Sequence, residues 1–232
     1  MAKVSEQSER YEDMLETMKK VVNLGSELSV EDRNLLSVAY KNSISGRRSA
    51  WRALESLEKK EDSKKETRHV EHIREYKKKI QSELISICKD LIDLLTKTLI
   101  PGAKTAESEV FYNKMKGDYY RYISEVCSGD AYTEAGDNAL TAYKAASEKA
   151  EKELKTTHPI RLGLSLNFSV FYYEVKNNPS EACRLAKQAF DDAIADIDSI
   201  EEDQYKDATT IMQLIRDNLT LWTSELEEEG KD

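Results

Sequence analysis

The chain has 232 residues, of which 44 are Asp or Glu and 35 are Lys or Arg, so its formal net charge is −9. This acidic balance excludes duplex nucleic acid as the main partner, because cations that neutralise phosphates supply most of that affinity. No apolar run approaches the roughly 20 residues that a membrane-spanning helix needs, so we expect a soluble protein without a membrane partner. Three widely separated cysteines are typical of the reduced thiols of a cytoplasmic protein.

Helix-forming residues run through the chain almost without interruption, and the composition with only 8 glycines and 3 prolines predicts an all-α fold. The first apolar-periodic stretch stops at Gly25, and Ser-Val-Glu-Asp at 29–32 resembles a capping box that opens the next helix. A long helix then continues through Leu57 into a charge-rich segment, residues 58–79, which we interpret as a solvent-exposed helix hairpin.

Further helix boundaries are indicated by prolines, glycines and capping residues. They are predicted at Pro101-Gly102, Thr105, residues 128–130, His158-Pro159, Asn178-Pro179 and residues 199–202, the last of which should open the final helix. The count is eight or nine antiparallel helices joined by short loops. We expect one domain over residues 1–232, with a frayed and mobile acidic tail at residues 225–232.

The segment KMKGDYYRY, residues 114–122, concentrates cations and tyrosines in an acidic chain. Lys114 and Arg121 are seven residues apart, which puts them within about 20° of each other on a helix, whereas Lys116 points away. Tyr122 borders their face, and Asp118 lies between them, one turn before Arg121. The face is either a surface ladder of ion pairs or an anion site in which Asp118 holds Arg121 in position.

A second basic face lies in the segment YKNSISGRRSAWR, where Lys41 and Arg48 are also seven residues apart. Arg47 is rotated by about 100° from them. No acidic residue occurs between Lys41 and Arg52, so the countercharge must come from another helix or from a ligand. Cations converging from two helices would suit a phosphate dianion, although the spacing leaves open whether the two faces meet.

Two later helices have the pattern expected of groove walls. Leu166 and Val170 lie on one stripe of the helix, with Asn167 and Glu174 beside it. The amide of an Asn at this place can form hydrogen bonds with the backbone of a bound peptide, or it can be a polar residue where two helices pack. The last helix carries two adjacent stripes that contain apolar residues. Together they form an apolar arc wider than a helix needs to pack against a single surface. One stripe contains Thr210, Leu214, Asn218 and Leu221, and the other contains Ile211, Ile215, Trp222 and Leu226.

Signals for an enzyme are weak. His69 and His72 are three residues apart and could share a metal, but no third ligand of a suitable type is near them in the sequence. A solvent-exposed helix surface is the favoured interpretation, and a helical metal-dependent hydrolase is kept as an alternative. We therefore expect no cofactor, no metal and no catalytic residue.

Several segments together resemble the 14-3-3 family of phosphoprotein-binding adaptors, in the order and spacing of that family. They are RNLLSVAYKN, RRSAWR, KMKGDYYRY, HPIRLGLSLNFSVFYYE and LIRDNLTLW. The resemblance implies nine antiparallel helices forming a cup with an amphipathic groove. It also implies an adaptor that clamps phosphoserine or phosphothreonine segments of client proteins and regulates them by masking or conformational restraint. A helical scaffold that binds unphosphorylated helices or acidic segments is the alternative.

By the same resemblance, phosphate would be bound by Lys41, Arg48, Arg121 and Tyr122, with Lys114 beside them. Asn167 and Asn218 would hold the backbone of the ligand, and Glu174 and Trp222 would make further ligand contacts. The apolar wall would consist of Leu166, Val170, Ile211, Leu214 and Leu221. Thr210 departs from the family, which usually has Leu there.

The resemblance also implies a dimer, either homodimeric or heterodimeric, formed through the N-terminal helices. Its ion pairs would be Arg10 with Glu83 and Asp13 with Lys79, with Tyr76 nearby. The apolar part of the interface would come from Val4, Ala53, Leu54 and Leu57. Ala50 replaces a serine whose phosphorylation loosens the dimer in several family members, so that switch should be absent.

Overall fold

The computed structural model describes residues 1–63 and 67–229. Within these ranges the chain forms nine α-helices and no strand, which confirms the all-α prediction. The chain divides into two compact units, Met1–Gly102 and Ala103–Asp232, each with its own packed interior. None of the described helices combines the length and the apolar character needed to cross a bilayer.

The first unit contains four helices. They are α1 (Ala2–Gln7), α2 (Tyr11–Asn23), α3 (Val30–Ser63) and α4, which is α-helical over Thr67–Leu94, passes through a π-helical turn at Leu95–Leu99 and ends with Ile100–Gly102. Consecutive helices pack against each other, so they run antiparallel. Met14, Leu36, Tyr40, Leu84 and Leu91 are completely buried and form part of the interior of this unit.

Local sequence signals explain the boundaries of this unit well. Gly25 follows α2 with φ +76°, a conformation that costs glycine little. The Ser29–Asp32 box is reciprocal, because the Asp32 amide donates to Ser29 Oγ at 3.1 Å and the Ser29 amide donates to Asp32 Oδ2 at 3.2 Å. Arg74 Nε and Lys77 Nζ each lie 2.6 Å from a carboxylate oxygen of Glu58. Ion pairs between α3 and α4 therefore stabilise the charge-rich hairpin.

The second unit contains five helices and one short 3₁₀ turn at Ile197–Ser199. The helices are α5 (Ala106–Val126), α6 (Gly129–Glu153), α7 (Pro159–Glu174), α8 (Pro179–Ala195) and α9 (Tyr205–Glu229). Three predicted caps are confirmed: Thr105 Oγ1 accepts from the Ser108 amide, His158 Nδ1 from the Ile160 amide and Asn178 Oδ1 from the Glu181 amide.

Helix α7 is central to the second unit because it contributes to two apolar clusters. Leu164, Phe168 and Phe171 pack with Tyr143 of α6 in one cluster. Leu162, from the same helix, packs with buried residues of α8 and α9 in the other. The side chains that α7 carries at its remaining surface are therefore held on a rigid support.

The predicted start of the last helix at residues 199–202 is wrong. Ser199 lies in the 3₁₀ turn, where its hydroxyl donates to the Asp196 carbonyl at 2.7 Å, so it does not cap a helix. The chain turns again, with the Gln204 amide bonded to the Glu201 carbonyl, before α9 begins at Tyr205. At the other end, residues 225–229 of the predicted tail belong to α9, while residues 230–232 lie outside the described residues.

Candidate functional site

Two of the three cations of KMKGDYYRY, Lys114 and Arg121, lie beside a buried carboxylate on α5. Lys114 Nζ lies 2.9 Å from Asp118 Oδ2, and Arg121 Nη2 lies 3.5 Å from Asp118 Oδ1. Arg121 and Asp118 are each only 6% exposed, whereas the ion pairs of a surface ladder would be solvated. The structure therefore contradicts the surface-ladder interpretation of this face.

Asp118 also accepts hydrogen bonds from two other helices. The Tyr143 hydroxyl of α6 donates to Asp118 Oδ1 at 2.6 Å, and Asn167 Nδ2 of α7 donates to the same oxygen at 2.9 Å. Because a carboxylate only accepts, Asn167 must turn its NH₂ group towards Asp118, and this fixes the orientation of its amide. One carboxylate thus positions a cation from its own helix and an amide from another.

Burial by itself would raise the pKa of Asp118, but the charges of Lys114 and Arg121 together with the hydrogen bonds from Tyr143 and Lys114 outweigh burial and hold this pKa below its usual value. Burial, followed by the neighbouring Asp118 charge, raises the pKa of Tyr143 well above its usual value. Asp118 is therefore ionised and Tyr143 neutral near pH 7, which is the combination that their hydrogen bond requires.

Two tyrosines hold the guanidinium of Arg121, one by a hydrogen bond to its edge and the other by contact with its flat face. Its Nε donates to the Tyr143 hydroxyl at 3.2 Å, and its central carbon lies 4.8 Å from the centroid of the Tyr122 ring. Its Nη1 lies 3.7 Å from the carboxylate of Glu174, a side chain that is 48% exposed. The same Nη1 lies 3.9 Å from Glu125 Oε1, whereas Nη2 faces the buried Asp118, so only Nη1 is directed towards the solvent-accessible end of α7.

The basic face of α3 has the predicted composition. Lys41, Ser45 and Arg52 are exposed and Arg48 is half-buried, whereas Arg47 is rotated away and contacts Glu83 Oε2 at 3.0 Å. Lys41 and Arg48 belong to the first unit, and Arg121 and Tyr122 belong to the second. A single pocket made by all four residues remains a prediction.

The structure separates the two stripes of α9. Ile215 and Trp222 are buried, and the Trp222 ring stacks on Tyr173 with 4.9 Å between centroids. Leu214 and Leu221 are instead 48% and 55% exposed, with Asn218 half-buried between them. The Trp222 stripe thus serves the interior, and the Leu214 stripe is available to a ligand.

Helix α7 adjoins both α5 and α9 at Gly163. A Cβ atom at Gly163 would lie 3.7 Å from Lys114 Cε and 4.0 Å from Ile211 Cδ1. Leu166, Asn167 and Val170 follow on α7 as half-buried side chains. Adjoining helices of the second unit therefore contain both the polar residues around Asp118 and the apolar residues of the predicted groove wall.

Comparison with known proteins gives a match to the 14-3-3 protein family over residues 1–223. The chain belongs to the 14-3-3 family. Protein BMH2 of Saccharomyces cerevisiae is 60% identical over 233 residues, a match that covers 100% of this chain and 85% of that protein. The 14-3-3-like protein GF14 epsilon of Arabidopsis thaliana is 57% identical over 232 residues, covering 100% of this chain and 91% of the relative.

A third relative is named for its role. The checkpoint signal transducer rad24 of Schizosaccharomyces pombe is 60% identical over 227 residues, covering 98% of this chain and 84% of the relative. Members of the 14-3-3 family are adaptors in signalling that bind client proteins, not enzymes. Membership in this family supports the same adaptor role for this chain.

The two histidines that could have shared a metal, His69 and His72, lie on an exposed helix surface. His69 and His72 are both exposed, and His72 Nδ1 lies 2.8 Å from the carbonyl oxygen of Arg68. Residues 1–63 and 67–229 contain no cluster of three or more potential metal ligands. This arrangement gives no support to the metal-dependent hydrolase that the sequence left as an alternative.

The residues predicted for a 14-3-3 dimer interface lie mainly at the surface of the first unit. Val4, Leu57 and Tyr76 are exposed apolar or aromatic side chains. Arg10, the residue before α2, pairs with Asp13 of that helix, and Glu83 pairs with Arg47. Ala53 and Lys79 are exposed, while Ala50 and Leu54 are half-buried. The pairs Arg10–Glu83 and Asp13–Lys79 between subunits remain predictions.

Tyr143 is the site residue that sequence reasoning missed. It is the only large aromatic residue in the segment ALTAYKAAS, whose alanines allow neighbouring helices to approach closely. Buried tyrosines usually have a hydrogen-bond partner for the hydroxyl group. A single tyrosine among closely packing alanines could therefore have indicated a buried hydroxyl group with a partner. It could not have identified the partners, because Asp118 and Arg121 lie 25 and 22 residues earlier in the chain.

Proposed function

We propose that this 14-3-3 protein clamps client segments that contain phosphoserine or phosphothreonine. Lys41, Arg48, Arg121 and Tyr122 bind the phosphate, with Lys114 beside them. The observation that carries the proposal is the fixed Arg121 guanidinium, which is 6% exposed and directs Nη1 towards the accessible end of α7. A guanidinium fork matches the oxygens of a phosphate dianion, and charge-assisted bonds of this kind are stronger in a partly desolvated site.

The rest of the client segment lies in an amphipathic groove. Asn167 and Asn218 bond its backbone, Glu174 makes a further contact, and Leu166, Val170, Ile211, Leu214 and Leu221 form the apolar wall. Trp222, which the resemblance also assigns to the ligand, is left out of this groove because it is only 3% exposed and its ring packs on Tyr173. The exposure of Leu214 and Leu221 supports this assignment, since neither is needed in the interior of the unit. The bound client is then masked or restrained in conformation.

The protein acts as a cytoplasmic dimer in this proposal. The exposed Val4, Leu57 and Tyr76 side chains support a second chain packing on the first unit. Two linked grooves raise the effective concentration for clients that carry two phosphorylated sites.

The test is titration of one fluorescent peptide in its phosphorylated and unphosphorylated forms. We expect the phosphorylated form to bind at least about 100-fold more tightly, since several charge-assisted bonds of roughly 1.5–3 kcal/mol each are added. Lys41→Glu should remove most of this advantage without loss of helicity. Lys60→Glu, the same charge change at an exposed position of the same helix, is the control and should bind like wild type. Equal affinity for both peptides would instead favour a scaffold that binds unphosphorylated segments.

A further inference from the structure

The hydroxyl group of Tyr143 is a single buried atom that contacts both partners of the central ion pair. It donates to Asp118 Oδ1 at 2.6 Å and accepts from Arg121 Nε at 3.2 Å. Tyr143 is completely buried on α6, and its ring lies against Phe168 of α7 with 5.2 Å between centroids. It has no route to a ligand, so any influence on binding must pass through other residues.

The ring of Tyr143 is held in place from both sides. Gly117 of α5 lets the ring approach so closely that a Cβ atom at that position would lie 2.8 Å from Tyr143 Cδ1. Such a distance is below van der Waals contact, so the glycine is required for this packing. The hydroxyl oxygen is consequently fixed by the rigid contact between two helices instead of by a flexible side chain.

Fixing that oxygen has two consequences at the surface of the unit. Arg121 is bonded at Nε and its Nη2 faces Asp118 Oδ1 at 3.5 Å, so Nη1 is the nitrogen that faces outward, towards Glu125 at 3.9 Å and Glu174 at 3.7 Å. Asp118 is held so that Oδ1 also accepts from Asn167 Nδ2 at 2.9 Å, which leaves the Asn167 carbonyl oxygen as the acceptor for a ligand. The phosphate-binding and backbone-binding groups are thus linked through Asp118 and Tyr143.

We propose that Tyr143 is a positioning residue that orients Arg121 for phosphate and, through Asp118, Asn167 for the backbone of the bound segment. This inference rests on the proposed function, since it concerns the phosphopeptide site. Groups held in their binding orientation before the ligand arrives lose less conformational freedom on binding, and this raises affinity. Tyr143 acts only through Arg121 and Asp118.

The test is Tyr143→Phe, which deletes one oxygen and keeps the ring. The control is Tyr40→Phe in the first unit, because the buried Tyr40 hydroxyl likewise donates to a carboxylate, Asp90 Oδ2, at 2.6 Å. We expect both variants to lose thermal stability, but only Tyr143→Phe to bind phosphopeptide about fivefold to twentyfold more weakly. The NMR signal of the Arg121 Nε–H group should shift or broaden in Tyr143→Phe alone.

The outcomes separate the inference from the proposed function. If wild type does not prefer phosphorylated peptide, the proposed function fails and the inference fails with it. If wild type does prefer it but Tyr143→Phe binds as tightly as wild type, or no more weakly than Tyr40→Phe, the inference alone is overturned. If Tyr143→Phe does not fold, Asp118→Asn is the substitute, because it keeps the shape of the side chain. Asp118→Asn should weaken phosphopeptide binding at least as much as is expected for Tyr143→Phe. Unchanged affinity in Asp118→Asn would overturn the inference.

Discussion

Asp118 shows how a charge can be buried in this protein without being left uncompensated. Lys114 and Arg121 provide the countercharge, and Tyr143 and Asn167 provide hydrogen bonds. Removing one partner from such a group is costly, because the remaining charges stay desolvated. The same arrangement places an arginine, a lysine and an amide in fixed positions at one surface of the second unit.

The lowered pKa of Asp118 makes a prediction about pH. A carboxylate whose pKa is lower in the folded state stabilises the protein above its unfolded pKa of about 3.9, and this contribution is lost as pH falls through the folded pKa. We expect Asp118→Asn to lower the free energy of unfolding by about 3 kcal/mol at neutral pH. The difference from wild type should narrow below about pH 4.

Urea denaturation of both proteins between neutral pH and about pH 3 measures this difference. A gap between variant and wild type that stays constant over the whole range would show that the ionised form of Asp118 is not the stabilising species.

Two lysines of α5 form a matched pair for a second prediction. Lys114 bonds Asp118 at 2.9 Å and lies beside the predicted phosphate site, whereas Lys116 lies on a different face of the helix. Lys114→Gln should weaken phosphopeptide binding about threefold to tenfold, the effect of losing roughly 1 kcal/mol of charge-assisted interaction. Lys116→Gln makes the same charge change and should leave affinity within about twofold. Equal losses in fluorescence titration would indicate a general effect of net charge.

At the scale of helices, the boundaries set by local chemistry were predictable. Thr105, His158 and Asn178 cap their helices through bonds to amides two or three residues later, and no distant residue is involved. The predicted helix start at residues 199–202 was wrong because the Ser199 hydroxyl donates to the carbonyl of the earlier residue Asp196, in a 3₁₀ turn. Serine can satisfy either pattern, and the sequence around it does not decide which one forms.

The exposed stripe of α9 could not be chosen from the sequence for a different reason. One stripe contains the polar Thr210 and Asn218 beside two leucines and the other is entirely apolar, but periodicity alone does not decide which stripe packs on a neighbouring helix. The choice depends on Tyr173 of α7, which stacks on Trp222 and brings that stripe into the interior. The network of Asp118, Tyr143 and Asn167 likewise joins three helices, and pairwise spacing within one helix carries no information about it.

The contact between α5 and α6 leads to a third prediction. Gly117→Ala should destabilise the protein by about 1–3 kcal/mol, because the added Cβ atom meets the Tyr143 ring at 2.8 Å and overpacks the interface. It should also weaken phosphopeptide binding, since displacement of Tyr143 disturbs its bonds to Asp118 and Arg121.

Gly46 provides the control for this substitution. It lies within α3, and a Cβ atom there would meet nothing within 4 Å. Gly46→Ala should stabilise the protein by up to about 1 kcal/mol through the higher helix propensity of alanine. Thermal unfolding measures both variants. Similar behaviour of the two would contradict the close approach of α5 to α6.

At the scale of the whole molecule, the exposed apolar side chains of the first unit predict self-association. If the proposed dimer forms through these side chains, replacing both Leu57 and Tyr76 by Glu should convert it to a monomer, because like charges would then meet where exposed apolar and aromatic side chains meet in the proposed interface. Sedimentation velocity measures the change. The variant should bind singly phosphorylated peptides normally and lose avidity for doubly phosphorylated ones. A monomeric wild type would contradict the predicted interface.

The proposed phosphate site of Lys41, Arg48, Arg121 and Tyr122 is tested most directly by the contribution of one phosphate group to binding. Calorimetric titration of one peptide, phosphorylated and unphosphorylated, into wild type, Arg48→Ala, Arg121→Ala and the double variant gives this contribution for each protein. We predict that each single substitution reduces it and that it nearly disappears in the double variant, while circular dichroism shows retained helicity. A contribution that stays at the wild-type value in either single variant would show that Arg48 and Arg121 do not share the phosphate.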